Sequence, residues 1–135
     1  METITIDSDV KVFYIIATSF PAGIMDAHKR IYELTAANPD RKYYGLSRGN
    51  HGEILYMAAA EELSDGEGEK LGCETLVLKK GTYVSETIKD FMKNIPAIGS
   101  TFQQMLSLPN IDQNGYCVEY YFNDKDVQCM VKLGD

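Results

Sequence analysis

The stretch Glu61 to Lys70, EELSDGEGEK, divides the chain into two halves of matching element order. Its glutamates, glycines, serine and aspartate leave little to bury, so it reads as an exposed acidic linker. The DxDxDG spacing of a calcium loop is absent from it. Upstream, Asp9–Phe20 (DVKVFYIIATSF) is rich in β-branched and aromatic residues and reads as a buried strand. Pro21 stops that strand and suits the first turn of a helix running from Ala22 to Ala37, with Ile24, Met25, Ile31 and Leu34 at helical spacing. Lys42–Arg48 and Glu53–Ala60 then form a hairpin about the turn Gly49-Asn50-His51-Gly52.

Downstream the plan recurs. Glu74–Ile88 (ETLVLKKGTYVSETI) reads as one long strand with a kink or bulge at Gly81. A helix from about Ile95 to Ser107 follows, with Pro96 in its first turn and an apolar stripe of Ile95, Ile98, Phe102, Met105 and Leu106. Tyr116–Phe122 and Val127–Leu133 close the chain as paired strands. The expected fold is α+β: two strand–helix–strand–strand repeats, about 9–60 and about 73–133, in pseudo-twofold arrangement. Antiparallel sheets would enclose a central ligand cleft. A ferredoxin-like pair of units is the architectural alternative.

At 135 residues the chain fits one domain, and 44% hydrophobic with 24% charged residues is a globular composition. The net charge of -7 and the scattered lysines and arginines argue against direct binding to nucleic acid. No apolar run approaches the ~18 residues of a membrane span. The acidic, alternating N-terminus lacks the features of a secretory signal, and the expected location is the cytoplasm. Cys73, Cys117 and Cys129 show no CxxC spacing and read as reduced thiols. His28 and His51, the two histidines, are too few for a His-based metal site, and no phosphate-binding or nucleophile-elbow motif occurs. No metal or other cofactor is therefore expected.

Glu119 is the informative position. Within Cys117-Val-Glu-Tyr-Tyr-Phe122, alternation places Cys117, Glu119 and Tyr121 on one face and Val118, Tyr120 and Phe122 on the other. Neither face is polar, so the strand reads as central and covered on both sides. A carboxylate there needs a partner, a hydrogen bond or a proton. Aromatic walls would favour a cation, by ~0.5–2 kcal/mol for each ring it stacks on. Nine tyrosines with no tryptophan supply such walls, with Tyr43, Tyr44, Tyr56, Tyr83, Tyr120 and Tyr121 among those on expected strands.

Several short segments together resemble GyrI-like small-molecule-binding domains, also called AraC-type transcription-activator effector-binding domains. They are Tyr44-Gly45-Leu46-Ser47, Ile54-Leu55-Tyr56-Met57-Ala58-Ala59, Lys80-Gly81-Thr82-Tyr83 and Val118-Glu119-Tyr120-Tyr121-Phe122-Asn123-Asp124. The resemblance runs from about Val10 to Leu133. It implies a duplicated fold around a cavity and a buried glutamate that meets cationic lipophilic ligands. Glu119 matches that glutamate, Tyr121 and Tyr83 match positions at the cavity, and Tyr44 and Tyr56 are the first-half counterparts. Transcription activators of the family carry a fused helix-turn-helix domain, for which this chain has no room. The expectation is thus a stand-alone, non-enzymatic binder of a small lipophilic or cationic molecule. The alternatives are a hydrolase of strained electrophilic toxins, with Glu119 as base, and a module that restrains a protein partner such as gyrase.

Overall fold

The computed structural model describes residues 1–134 and is α+β. Its strands are β1 (Glu2–Ile6), β2 (Val10–Ile16), β3 (Tyr43–Asn50), β4 (Glu53–Glu61), β5 (Glu74–Leu78), β6 (Gly81–Ile88), β7 (Cys117–Tyr120) and β8 (Val127–Lys132). The helices are α1 (Ile24–Leu34), the single turn α2 (Glu67–Lys70) and α3 (Pro96–Leu106), with a 3-10 turn at Phe91–Lys93. All strands join one antiparallel sheet of order β1-β6-β8-β7-β3-β4-β2-β5, rather than the separate sheets expected.

Two chain crossings force this sheet to curl. The run read as one strand with a kink is two strands, because β5 pairs with β2 at one edge and β6 pairs with β1 and β8 near the other. On a flat sheet six strand spacings, ~29 Å, would separate β5 from β6. The Lys79–Lys80 link can span at most ~11 Å. The edges must therefore approach each other, and the result is a half-barrel. A second crossing leads from β1, which the sequence reading did not recognise as a strand, through Asp7–Asp9 into β2. The crossings are stitched together where the Lys80 backbone N–H donates to Asp9 Oδ1 at 2.8 Å. Gly81, at φ 143°, occupies the corner; a Cβ there would lie 2.9 Å from Lys132 Cε.

Residues from every strand meet on the inner face of the curl, among them Val12, Leu46, Met57, Val118 and Met130. The outer face carries the helices. Ala27 and Ile31 of α1 pack against Phe13, Ile15, Ala58 and Ala60, whereas Phe102 and Met105 of α3 pack against Val84, Val127, Cys129 and Val131. Each fully buried side chain of this size contributes ~1.5–3 kcal/mol. Pro21 lies in the turn ahead of α1 rather than inside it, and Gly23 takes the cap position. There a Cβ would come within 2.8 Å of the Ser19 backbone. His51 and Gly52, at φ 52° and 84°, make the two-residue turn between β3 and β4. Positive φ at both positions matches the twist of the hairpin.

The acidic segment 61–70 is more tied down than its composition suggests. Glu67 accepts two hydrogen bonds from Arg41, at 2.7 and 2.9 Å, and Arg41 also donates to the Glu61 carbonyl at 2.7 Å. Glu62 accepts the backbone N–H groups of Gly66 and Gly68 and pairs with Lys11 at 3.3 Å. Gly68 is buried against Phe13, where a Cβ would lie 2.6 Å from Cβ of Phe13, so only glycine fits. Among the described residues no helix is long and apolar enough to cross a membrane.

Candidate functional site

The helices leave a gap. On the outer face α1 rests on β2 and β4, and α3 rests on β6 and β8. The central pair β3–β7 lies between them, and above it opens a cleft of about 1200 Å³. Its walls are overwhelmingly apolar: Ile24 and Met25 from α1, Phe91 and Met92 from the 3-10 turn, Ile98 and Phe102 from α3. Its floor includes Ser47, Cys117, Glu119 and Tyr121.

Glu119 is 6% exposed, on a strand covered on both sides. It stands opposite Gly45 on β3 and Cys129 on β8. Gly45 makes the room for it, since a Cβ there would fall on the Tyr56 hydroxyl and within 2.7 Å of Glu119 Oε1. Two phenols hold the carboxyl through that same oxygen. Tyr56 donates to Oε1 at 3.0 Å, and Tyr121 donates to the same atom. Among the described residues Oε2 receives no hydrogen bond and Glu119 joins no ion pair. Of the cations lining the cleft, Arg48 lies over the Tyr116 ring at 5.0 Å. Burial pushes the Glu119 carboxyl above its ordinary range, and the bonds from Tyr121 and Tyr56 offset part of that rise. The phenols respond in turn, since burial followed by the nearby carboxylate drives Tyr121 and Tyr56 upward.

Rings surround the acid. His28 of α1 meets Tyr121 edge-on at 5.2 Å, Phe91 meets Tyr121 at 5.4 Å, and Phe20 lies 6.1 Å from Tyr56. His28 Nε2 lies 2.8 Å from the Tyr56 hydroxyl, and burial lowers the imidazole to about 4. Burial also keeps the Cys117 thiol protonated, at about 11. Among the described residues no cluster of His, Cys, Asp or Glu is arranged to hold a metal ion.

Of the residues singled out from sequence, Glu119, Tyr121 and Tyr56 come together here. Tyr121 borders the cleft, whereas Tyr56, 2% exposed, holds the carboxyl from β4. Tyr44 and Tyr83 do not join them. Tyr44 is on the inner face, stacked on Tyr120 at 5.3 Å, and Tyr83 donates to the Lys79 carbonyl at 2.6 Å. The reason is strand alternation: Gly45 and Val84 take the outward positions. His28, Gly45 and Phe91 were not expected at the site. The glycine of the Tyr44-Gly45 pair had a local signal, namely a residue without a side chain in the middle of a strand.

No family model matches the chain, and no curated protein matches it either. Solved structures do. An integron cassette protein from the mobile metagenome of Vibrio cholerae is 14% identical, with a TM-score of 0.73 over 98% of this chain and 94% of that one. SAV2435 bound to tetraphenylphosphonium is 11% identical, with a TM-score of 0.68 over 98% and 92%. A hydrolase from Listeria innocua is 10% identical, with a TM-score of 0.62 over 98% and 90%. At these identities the likeness is one of fold, and it extends along nearly the whole chain.

Proposed function

We propose that this chain is a GyrI-like effector-binding protein that takes a lipophilic cation into the cleft between α1 and α3. The observation that carries this reading is a buried carboxylate with no counter-charge among the described residues, at the floor of an apolar, ring-lined cleft. Such a group is costly to ionise alone. A cation ~4 Å from it gains ~4 kcal/mol at an effective dielectric constant of 20. In this reading Glu119 Oε2 meets the charge, Tyr121 and Phe91 provide ring faces, and the mobile side chains of Met25 and Met92 adapt to the ligand's outline. The shared fold of SAV2435 with its bound tetraphenylphosphonium supports it.

The same reading treats the chain as a duplicated unit. Exchanging the halves (β1 with β5, β2 with β6, β3 with β7, β4 with β8) reverses the sheet order and returns the same arrangement. A pseudo-twofold axis would pass between β3 and β7, where Gly45 faces Glu119. The resemblance to effector-binding domains extends this to a role connected with transcription regulation.

Tetraphenylphosphonium is the first probe. At a hundred times its dissociation constant it adds ~2.7 kcal/mol to stability, a rise of ~10 °C in melting temperature. Glu119→Gln lowers the affinity at least ~30-fold, matching the ~2 kcal/mol or more lost with one partner of a buried charge pair. Equal stabilisation of parent and variant by the cation removes this function.

A second reading rests on the bond chain from His28 through Tyr56 to Glu119, together with the fold shared with a hydrolase. A carboxylate with an elevated pKa and a free oxygen can act as a general base toward water. This reading requires turnover of a strained electrophile by the parent and none by Glu119→Gln. If no product accumulates across a panel of such compounds, binding alone remains.

A further inference from the structure

His28 occupies a position that an apolar residue would fill more cheaply. Its ring packs among Tyr32, Tyr56 and Tyr121, with centroids at 6.3, 5.7 and 5.2 Å. Burial there suppresses its protonation, and its Nδ1 is buried with no hydrogen-bond partner among the described residues. An unpartnered buried nitrogen is a penalty that leucine or phenylalanine would avoid. In exchange the histidine makes one polar contact, from Nε2 to the Tyr56 hydroxyl at 2.8 Å.

Counting protons gives that contact a direction. In the cation-bound state Glu119 is ionised and only accepts, so Tyr56 and Tyr121 each commit their single hydroxyl proton to its Oε1. The Tyr56 oxygen then has only acceptor capacity left, so the partner atom on His28 must carry a hydrogen. Neutral His28 is therefore the Nε2–H tautomer, with Nδ1 bare. We infer that His28 is a positioning residue for the cation site: its Nε2–H holds the Tyr56 phenol so that its proton points at Glu119 Oε1 and Oε2 is left for the ligand. This rests on the proposed cation-binding function and names the group that keeps its anchor aimed.

The titratable groups facing the Glu119 carboxyl are His28 from α1, Tyr56 from β4, Cys117 from β7, Cys129 from β8, and Tyr121 beyond the end of β7. Asp26, Lys29, Glu33 and Arg48 are the charged groups at the cleft lining, and Tyr32 is its other phenol. With Tyr56 no longer held, Glu119 loses a donor that stabilises its anion, and its carboxyl rises further.

The test is calorimetric titration of the full chain with tetraphenylphosphonium at several pH values. His28→Leu is expected to weaken binding about five- to tenfold, the range of one hydrogen bond, and to move the acid limit of binding to higher pH. His28→Gln, whose Nε2 can replace the imidazole donor at similar reach, is expected to restore the parent's affinity within about twofold and its pH limit. A packing role alone would leave the pH limit where it is. The inference is overturned if His28→Leu binds with the parent's affinity and pH limit, or if His28→Gln behaves like His28→Leu. Loss of binding in Glu119→Gln alongside an unaffected His28→Leu sinks this inference and leaves the cation site standing. Parent-like binding by Glu119→Gln removes both. Should His28→Leu fail to fold, nitrogen-15 NMR of the parent imidazole decides: a protonated Nε2 supports the role, and a protonated Nδ1 overturns it.

Discussion

Glu67 and Glu119 are both drawn into the structure, and the protein treats them in opposite ways. Glu67 receives a fork of hydrogen bonds from Arg41, and this guanidinium holds the carboxyl down at about 2. Glu119 receives phenols instead, with no cation among the described residues within ion-pair distance, and burial raises it. The first acid is complete within the chain and pins residues 61–70 to the first half. The second is left incomplete beside a large cleft. A carboxylate that has its own counter-charge is part of the architecture; one without such a partner is the natural place for a cation from outside.

The pH dependence of the two acids separates them. Glu67 is depressed in the folded state, so its contribution is present above the ordinary value of 4.5 and is lost as pH falls toward about 2. Glu119 is elevated, so the folded state holds its proton more tightly than the unfolded one. Stability then declines as pH rises from 4.5 through the elevated folded value, and a bound cation reverses the decline.

The largest effect is expected at Arg41, whose side chain is 6% exposed. Arg41→Ala should cost about 3 kcal/mol in urea unfolding, by leaving Glu67 without its partner. It should also flatten the acid limb of the stability curve; an unchanged limb would break the comparison from the Glu67 side. Gly45→Ala follows at about 2 kcal/mol, because its Cβ meets the Tyr56 hydroxyl and Glu119. The same variant should lose tetraphenylphosphonium binding, since the carboxyl must move. Glu119→Gln is smaller and opposite in sign. It should stabilise the unliganded protein by about 1 kcal/mol at pH 8 and by much less at pH 4. A loss of stability at pH 8 would mean that this acid, too, is architectural. The smallest effect is Tyr83→Phe. It removes the bond to the Lys79 carbonyl, costs about 0.5 kcal/mol, and leaves cation affinity within about twofold of the parent.

The sheet's two faces show how far local pattern reaches. Alternation along Cys117–Phe122 was enough to put Glu119 and Tyr121 on one side and Val118 and Tyr120 on the other, as the structure has them. The second helix was legible with Pro96 in its first turn. The apolar stripe on that helix was legible too, but not which of its residues the fold would bury: Ile95 and Leu106 are about half exposed. They line the cleft because α3 stands beside the central strands instead of over them. The same displacement of α1 makes His28 a neighbour of Tyr56.

Sequence alone determined the elements whose signal is local: strand alternation, the helical stripes, the hairpin between β3 and β4, and the presence of an acid among rings. Tertiary structure decided everything that depended on which strands became neighbours. The splitting of Glu74–Ile88 across opposite margins of the sheet is one case, because its residues favour extended backbone throughout and nothing local names their partners. The pairing of Gly45 with Glu119 is another, since it joins residues far apart in the chain through a register set by the whole sheet. The inward turn of Tyr44 and Tyr83, and the union of Arg41 with Glu67, follow for the same reason: propensity acts over a few residues, whereas burial and charge pairing are settled by what the closed fold brings within reach.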